Sequence, residues 1–320
     1  VTEPERWRDL AGPVGRIPPG PRNAITDVHG VRVGHAQAES GERTGVTVVA
    51  PQSLPVAAGV ATVNGTGELT AKLEIEETGL MWTPVYLCGT HAVGTVLQAA
   101  VGASGHGPEH VVIPVVGECD DGEMADSRQV TSGDVERALG ELGTEVAEGS
   151  VGAGTGMSCF DFPGGIGTAS RAVDDGHVGV LLLCNFGDRE YLDILEATPG
   201  SPAARKSRDG SCIAVCATDA PLSPHQLRRL ALRPLLGLAR AGSYGAEGSG
   251  EIGLAFTTAS GSSLANQRLD SYFAAAYEAA REAVYNCLVA ARPAERLDGS
   301  TQDAFPTDAV RRRLQARPHG

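Results

Sequence analysis

Asp209-Gly210-Ser211-Cys212 stands where a polar stretch, Glu196 to Gly210 (EATPGSPAARKSRDG), runs into the apolar segment CIAVCA. A serine hydroxyl at such a boundary can attack the carbonyl that precedes it. The resulting N-to-O acyl shift turns the Gly210–Ser211 amide into an ester, and hydrolysis of that ester frees Ser211 with both an α-amine and a hydroxyl. An α-amine titrates near about 7.7–8.0, so a fraction is neutral at neutral pH and can act as base toward its own hydroxyl. Gly210 suits the bond because glycine tolerates backbone angles that other residues avoid. On composition alone, the stretch reads as an exposed connection between two strands.

Other motifs carry less. His106-Gly-Pro-Glu-His110 has the spacing of a zinc site, but Gly107 and Pro108 would break the helix that brings two imidazoles together. Gly152-Ala-Gly154-Thr-Gly156 has the glycines of a phosphate-binding turn without a buried strand before it or a helix after it. No G-x-S-x-G elbow occurs, and with Lys72 and Lys206 the only lysines there is no Ser-x-x-Lys pair. Cys212 and Cys216 would share a strand face about 13 Å apart, too far for a disulfide. The seven cysteines (Cys88, Cys119, Cys159, Cys184, Cys212, Cys216 and Cys287) are an odd set in mostly apolar segments, which predicts reduced, buried thiols. Neither a metal nor an organic cofactor is expected.

The elements that must position Ser211 are short and punctuated by Gly or Pro. Strands are predicted over Ala24 to Val33 with a turn at His29-Gly30, Gly45 to Ala50, Pro55 to Val63, Pro84 to Cys88 and His110 to Val116. Further apolar strands run through Leu181 and over Cys212 to Ala217. Helical spacing is clearest over Ser271 to Ala291, with Glu278, Arg281 and Glu282 on a polar face. A second helix runs from Pro224 to Ala241, capped by Ser223 and expected to kink or divide at Pro234. A third follows the Thr131-Ser132 cap, and His91 to Val101 is a fourth, entered straight from a strand. Strands alternating with helices argue for a mixed-sheet architecture.

Composition narrows the function. The 320 residues allow one large domain or two. Glycine supplies 42 of them, about twice the usual share. A net charge of -13 and the lack of a basic run argue against nucleic acid as a partner. No apolar run, Val178 to Cys184 included, approaches the roughly 20 residues of a membrane span, and Val1 to Asp9 is too charged for a signal peptide. A cytoplasmic protein without membrane association is expected.

Longer matches surround Ser211. The segments NAITDVHGVRVGH (Asn23 to His35), RTGVTVV (Arg43 to Val49), NGTGE (Asn64 to Glu68), PVVGE (Pro114 to Glu118), EGSVGAGTGM (Glu148 to Met157), GGIGTASR (Gly164 to Arg171), NFGDR (Asn185 to Arg189), ATDAPLSPHQLRRLA (Ala217 to Ala231) and SGEIGLAFTTA (Ser249 to Ala259) occur in one order over nearly the whole chain. In these the chain resembles the DmpA/BapA family of self-processing serine peptidases, the L-aminopeptidase/D-esterase and β-peptidyl aminopeptidase group, peptidase family S58.

The resemblance implies an α+β fold, the four-layer αββα sandwich of the DmpA/ornithine acetyltransferase type. One N-terminal-nucleophile hydrolase domain would span 1–320 and be cut at Gly210–Ser211 into an α chain, 1–210, and a β chain, 211–320. Ser211 would then be nucleophile and new N-terminus, with Ser249 and Glu251 as second serine and acid and Asn185 as the oxyanion-side amide. An i, i+2 pair on a strand shares one face, so Ser249 and Glu251 could act together. Glu118 corresponds to the acid that holds the substrate's free amine, which would explain exopeptidase behaviour because an internal peptide bond leaves that acid unpaired. Where one branch of the family has tyrosine two positions later, this chain has Asp120, and the loop from Cys119 to Ser127 is expected to shape the pocket. Asn64, Gly65 and the Gly152 to Gly156 cluster would let backbone approach the substrate or the nucleophile strand.

The activity implied is removal of N-terminal residues from short peptides, amides or esters with a free amino terminus, through an acyl-enzyme on Ser211. A homo-oligomer, tetrameric by the resemblance, is implied as well. The sequence leaves open whether the base is the α-amine or the Ser249/Glu251 pair, and whether α-, β- or D-aminoacyl groups are preferred. Two alternatives stand beside this reading. One is an amidase or acyltransferase of the same architecture, of the nylon-oligomer hydrolase or ornithine acetyltransferase type, against which a serine in place of their threonine argues. The other is an uncleaved binding protein.

Overall fold

The computed structural model describes residues 6–174, 176–194 and 210–316, so of the polar stretch before Ser211 only Gly210 is described and Glu196 to Asp209 lie outside. In chain order the elements are α1 (Trp7–Ala11), β1 (Val31–Gln37), β2 (Gly45–Pro51), β3 (Val56–Gly65), α2 (Lys72–Thr78), β4 (Leu80–Met81), β5 (Val85–Gly89), α3 (Val93–Ala103), β6 (Val115–Cys119), α4 (Ser132–Gly140), β7 (Ser158–Cys159), β8 (Phe162–Pro163), β9 (Gly165–Val173), β10 (Gly176–Asn185), β11 (Ser211–Thr218), α5 (Pro224–Ala241), β12 (Gly250–Thr257), α6 (Leu269–Ala290), β13 (Ala294–Glu295), β14 (Thr301–Gln302) and α7 (Thr307–Ala316). None of the described helices is long and apolar enough to cross a membrane.

Two sheets face each other. One has the order β1-β2-β5-β6, the other β4-β3-β12-β11-β10-β9. Val33, Val49, Leu87 and Val115 from the first meet Val60, Leu181, Ile213 and Leu254 from the second in a shared core. Outside the smaller sheet, Val48, Tyr86 and Val116 pack on Val96 and Val135 of α3 and α4. Outside the larger sheet, Leu182, Ala214 and Cys216 pack on Leu230 of α5 and Ala280 and Val284 of α6. The layers therefore run helix, sheet, sheet, helix, the expected αββα sandwich. Strands covered on both faces must be apolar throughout, which is why β10 and β11 read as continuous runs instead of alternating.

The glycine excess follows partly from this layering. A Cβ on Gly167 of β9 would lie 2.0 Å from the Ala283 carbonyl of α6, and one on Gly253 of β12 would lie 2.2 Å from the Ala231 carbonyl of α5. Only glycine lets these helices approach so closely. All seven cysteines are buried and unbridged, as expected of reduced thiols.

Four local expectations change. Ala24 to Val33 is not one strand: a 3-10 turn occupies Ile25–Asp27, Asp27 accepts from the Arg22 and Ala24 amides, and β1 begins only after Gly30 at φ +80°. The run His110 to Val116 shifts forward to β6, because Pro114 has no amide to donate and pairing with β5 starts at Val85 opposite Val115. Its leading apolar residue, Val111, is 88% exposed. Helix α5 continues through Pro234 as one element, since Pro234 lies on the buried face packed against the sheet and tertiary contact outweighs one missing hydrogen bond. On α6 the polar face is not solvated: Glu282 is fully buried and bonded to Arg8 and Arg171.

Candidate active site

β11 lies between antiparallel β10 and parallel β12, all eight of its residues buried. Parallel neighbours need a crossover, which α5 provides. Its start is fixed by register: Asn185 opposes Ser211 on one side, and Gly250 opposes Ser211 on the other. The Gly210 carbonyl accepts the Gly250 amide at 3.0 Å. Gly210 also allows close approach: a Cβ there would lie 2.8 Å from the Asn185 carbonyl and 3.5 Å from Ser249 Oγ.

Polar groups at this junction are buried, and some lack partners. Ser211 is 4% exposed, and its Oγ has no hydrogen-bond partner among the described residues. Across the inter-sheet core it neighbours the Cys119 thiol, which burial pushes well up in pKa while the adjacent Ser211 opposes that shift. Ser249 Oγ donates to Glu251 Oε1 at 2.5 Å, so the i, i+2 spacing does bring the two together. Burial raises the Glu251 pKa, the Ser249 hydrogen bond opposes that, and its Oε2 has no partner among the described residues. Buried polar atoms are normally satisfied, so orphans grouped at a strand end mark a site for chemistry.

Asn185 is held at both ends of its amide. Its Oδ1 accepts the Ser158 amide at 2.8 Å, and its Nδ2 donates to the Asp120 carbonyl at 2.7 Å. One N–H of Nδ2 is thereby used, and no second acceptor for Nδ2 occurs among the described residues.

Asn185, Gly210 and Ser249 border a cleft of about 300 Å³ whose wall also includes Asp120, Asp121 and Asp188. The loop after β6 forms one side, as expected. Asp121 lies at its base, accepts the Thr44 hydroxyl at 2.7 Å, and is pushed by burial up to about 6. Facing it, the turn of the β13–β14 hairpin contributes Arg296.

Three sequence-predicted residues are on the flank instead. Glu118 is buried in β6, where Oε1 accepts the Glu68 amide at 2.8 Å and Oε2 accepts the Thr90 hydroxyl. Only Gly67 separates it from β12, since a Cβ there would be 3.3 Å from Glu118 Oε1 and 3.5 Å from the Gly250 Cα. Gly65 pairs with Gly250 in the ladder. Asn64 donates to the Ala246 and Glu247 carbonyls and so anchors the segment leading to Ser249. The Gly152 to Gly156 cluster approaches other strands than β11: a Cβ on Gly152 would be 2.5 Å from Thr47 Oγ1, and one on Gly154 2.6 Å from the Gly165 Cα. Sequence reasoning missed Ser158, Thr90 and Arg296, which act through partners far along the chain and leave no local pattern.

A family model described as "Peptidase family S58" matches residues 23–302. Among relatives, the β-peptidyl aminopeptidase BapA of Sphingosinicella microcystinivorans is 40% identical, over 97% of this chain and 91% of that protein. The solved β-aminopeptidase of a Burkholderia species superposes with a TM-score of 0.88 at 38% identity, covering 98% of this chain and all of that one. The L-aminopeptidase D-Ala-esterase/amidase of Ochrobactrum anthropi, described as a prototype serine aminopeptidase and a variant of the Ntn hydrolase fold, gives 0.83 at 34% identity, over 97% of this chain and 99% of that one.

Proposed function

The chain belongs to peptidase family S58, and from that premise we propose that Ser211 first cuts its own chain and then serves as nucleophile of an aminopeptidase acting on short peptides and amides with a free amino terminus. In maturation, Ser211 Oγ attacks the Gly210 carbonyl carbon, the C–N bond breaks, and the released nitrogen takes up a proton. Water then hydrolyses the ester, leaving a Gly210 carboxylate and an N-terminal Ser211. The Gly250 amide, already bonded to the Gly210 carbonyl, stabilises charge on that oxygen.

In turnover, Ser211 Oγ attacks the substrate carbonyl with its α-amine as base and Asn185 Nδ2 takes the oxyanion; the C–N bond then breaks, the leaving amine takes the proton from the α-amine, and water hydrolyses the Ser211 ester to free the acid. The Ser249–Glu251 pair orients the amine and shares its proton. Glu118, held by Thr90 and the Glu68 amide, receives the substrate's ammonium, and the carboxylates of the cleft draw that cation in. The observation that carries this reading is a buried Ser211 Oγ without a partner among the described residues, on a residue that has Asn185 opposite it on β10 and, on β12, Gly250 flanked by the hydrogen-bonded Ser249 and Glu251. The BapA relative favours β-aminoacyl substrates. A reducing compartment such as the cytoplasm suits the seven unbridged thiols, and we include a homo-oligomer, as the resemblance implies, to be read by sedimentation.

The test is a panel of α-L-, D- and β-aminoacyl p-nitroanilides with and without an N-acetyl block. Release of p-nitroaniline from the unblocked β-aminoacyl compounds and none from the blocked ones is expected. Hydrolysis of blocked substrates, or of none, overturns the aminopeptidase reading.

A further inference from the structure

The Asn185 amide takes its aim from a carbonyl on a loop. Its Nδ2 donates to Asp120, which lies past the end of β6, so something other than the sheet must hold that carbonyl still. The Asp120 side chain faces outward and closes a turn, accepting the Gly122 amide at 3.0 Å. The next side chain turns inward. Asp121 is buried, its carboxylate accepts the Thr44 hydroxyl at 2.7 Å, and Ser127 adds a second hydroxyl. Thr44 is fully buried at the entrance of β2, where its own carbonyl accepts the Ala38 amide at 2.9 Å. A peptide unit is planar, so the Asp120 carbonyl and the Asp121 Cα move as one body. A clamp on the Asp121 side chain therefore sets where that carbonyl points.

Two glycines make room for the clamp. A Cβ on Gly89 would lie 2.4 Å from Asp121 Oδ2 and 2.5 Å from Oδ1. One on Gly156 would lie 2.4 Å from the Arg43 carbonyl and 3.1 Å from Asp121 Cβ. Gly156, the last of the Gly152 to Gly156 cluster, thus lets backbone pass close over the Thr44–Asp121 pair. A carboxylate enclosed this tightly is tolerated only with hydrogen bonds, and the shortest comes from a different sheet strand than the loop it steadies.

We propose that Thr44 and Asp121 are positioning residues of the oxyanion site: through the Asp120 carbonyl their hydrogen bond fixes the Asn185 amide opposite Ser211. The role rests on the aminopeptidase reading above, in which Asn185 takes the oxyanion of turnover. Self-cleavage is spared, because there the Gly210 carbonyl is held by the Gly250 amide of β12.

The experiment compares Thr44→Val, which keeps the shape and loses the hydroxyl, with Thr44→Ser, which keeps the donor, on β-alanyl p-nitroanilide. Thr44→Val should cut itself as the wild type does and then lose about 10- to 100-fold in kcat, with KM within about twofold. Thr44→Ser should return kcat to within about threefold of the wild type, as a retained hydrogen bond requires. Crystal structures should show Asn185 Nδ2 parted from the Asp120 carbonyl in the Val variant and bonded to it in the Ser variant. If Thr44→Val alone does not fold, its combination with Asp121→Ala, which leaves no unpaired carboxylate buried, carries the same expectation. An unchanged kcat, a loss carried by KM alone, a loss that Thr44→Ser does not restore, or an Asn185–Asp120 bond intact in the Val variant overturns the proposal. Should the wild type cut itself but turn over no substrate, the aminopeptidase reading fails, and the crystallographic comparison alone decides whether Thr44 and Asp121 aim the amide.

Discussion

Arg171 and Glu251 are buried ionic side chains on strands of one sheet, β9 and β12, and their surroundings differ. Arg171 donates to the carbonyls of Val14 and Ser170 and to Glu282, itself fully buried. Glu282 also accepts from Arg8 and Asn23, and nearby Glu148 accepts from Arg6 and the Thr168 amide. This network fastens the N-terminal segment onto α6 and β9. Near Ser211, by contrast, Glu251 Oε2 and Ser211 Oγ have no partners among the described residues although both residues are almost entirely buried. The same burial that is compensated at one place is left uncompensated at the other. Satisfied charge holds the architecture, and unsatisfied polar atoms mark where a reacting group is to be accommodated.

The comparison breaks first at the nucleophile. Ser211→Ala should leave the chain uncut and abolish turnover, a loss of about 10⁴-fold or more, while Cys212→Ala should still self-cleave and act. Electrophoresis and p-nitroaniline release read both. Loss of cutting and activity with Cys212→Ala and their retention with Ser211→Ala would reverse the assignment.

A smaller but structural effect is expected in the network. Glu282→Ala removes the fully buried carboxylate shared by Arg8 and Arg171, leaving Arg171 only the longer pair to Glu278 at 3.5 Å, and should destabilise the fold by about 3–5 kcal/mol. A denaturant midpoint unchanged from wild type would show that the network is not what holds the N-terminal segment.

The third test uses pH. Asp121 is raised by burial from 3.8 to about 6. Between those values the unfolded chain ionises before the folded one, so stability drains as pH rises and the full penalty stands above pH 6. Asp121→Asn removes it and keeps an acceptor for Thr44. The variant's advantage over wild type should therefore be about 2 kcal/mol larger at pH 7.5 than at pH 4.5. An advantage that does not grow with pH would mean the cleft base is better solvated than its burial implies.

The two regions were unequally legible in the sequence. A change of composition at a strand entrance offered Ser211 only as one serine among others, and it was the surrounding motifs that singled it out and matched Asn185, Ser249 and Glu251 to it. Periodicity located α6 but not what covers it: Glu278, Arg281 and Glu282 have the spacing of a solvated face, and the arginine that buries Glu282 against the N-terminal segment is Arg8, at the opposite end of the chain. Asn185 could be found at the end of an apolar run, whereas the Ser158 amide that turns its nitrogen toward the cleft could not, because a backbone donor leaves no residue preference. Glu118 was readable as an acid after a strand. Its two internal partners were not, since they come from the turns at Glu68 and Thr90 and meet only when the sheets stack.

The central claim is that the unsatisfied junction cuts itself, and intact-mass analysis with N-terminal sequencing of the purified chain addresses it directly. Two fragments are expected, one ending at Gly210 and the other, 211–320, beginning with Ser211. A single uncut chain that persists after long incubation, or a cut at any other bond, would contradict the account.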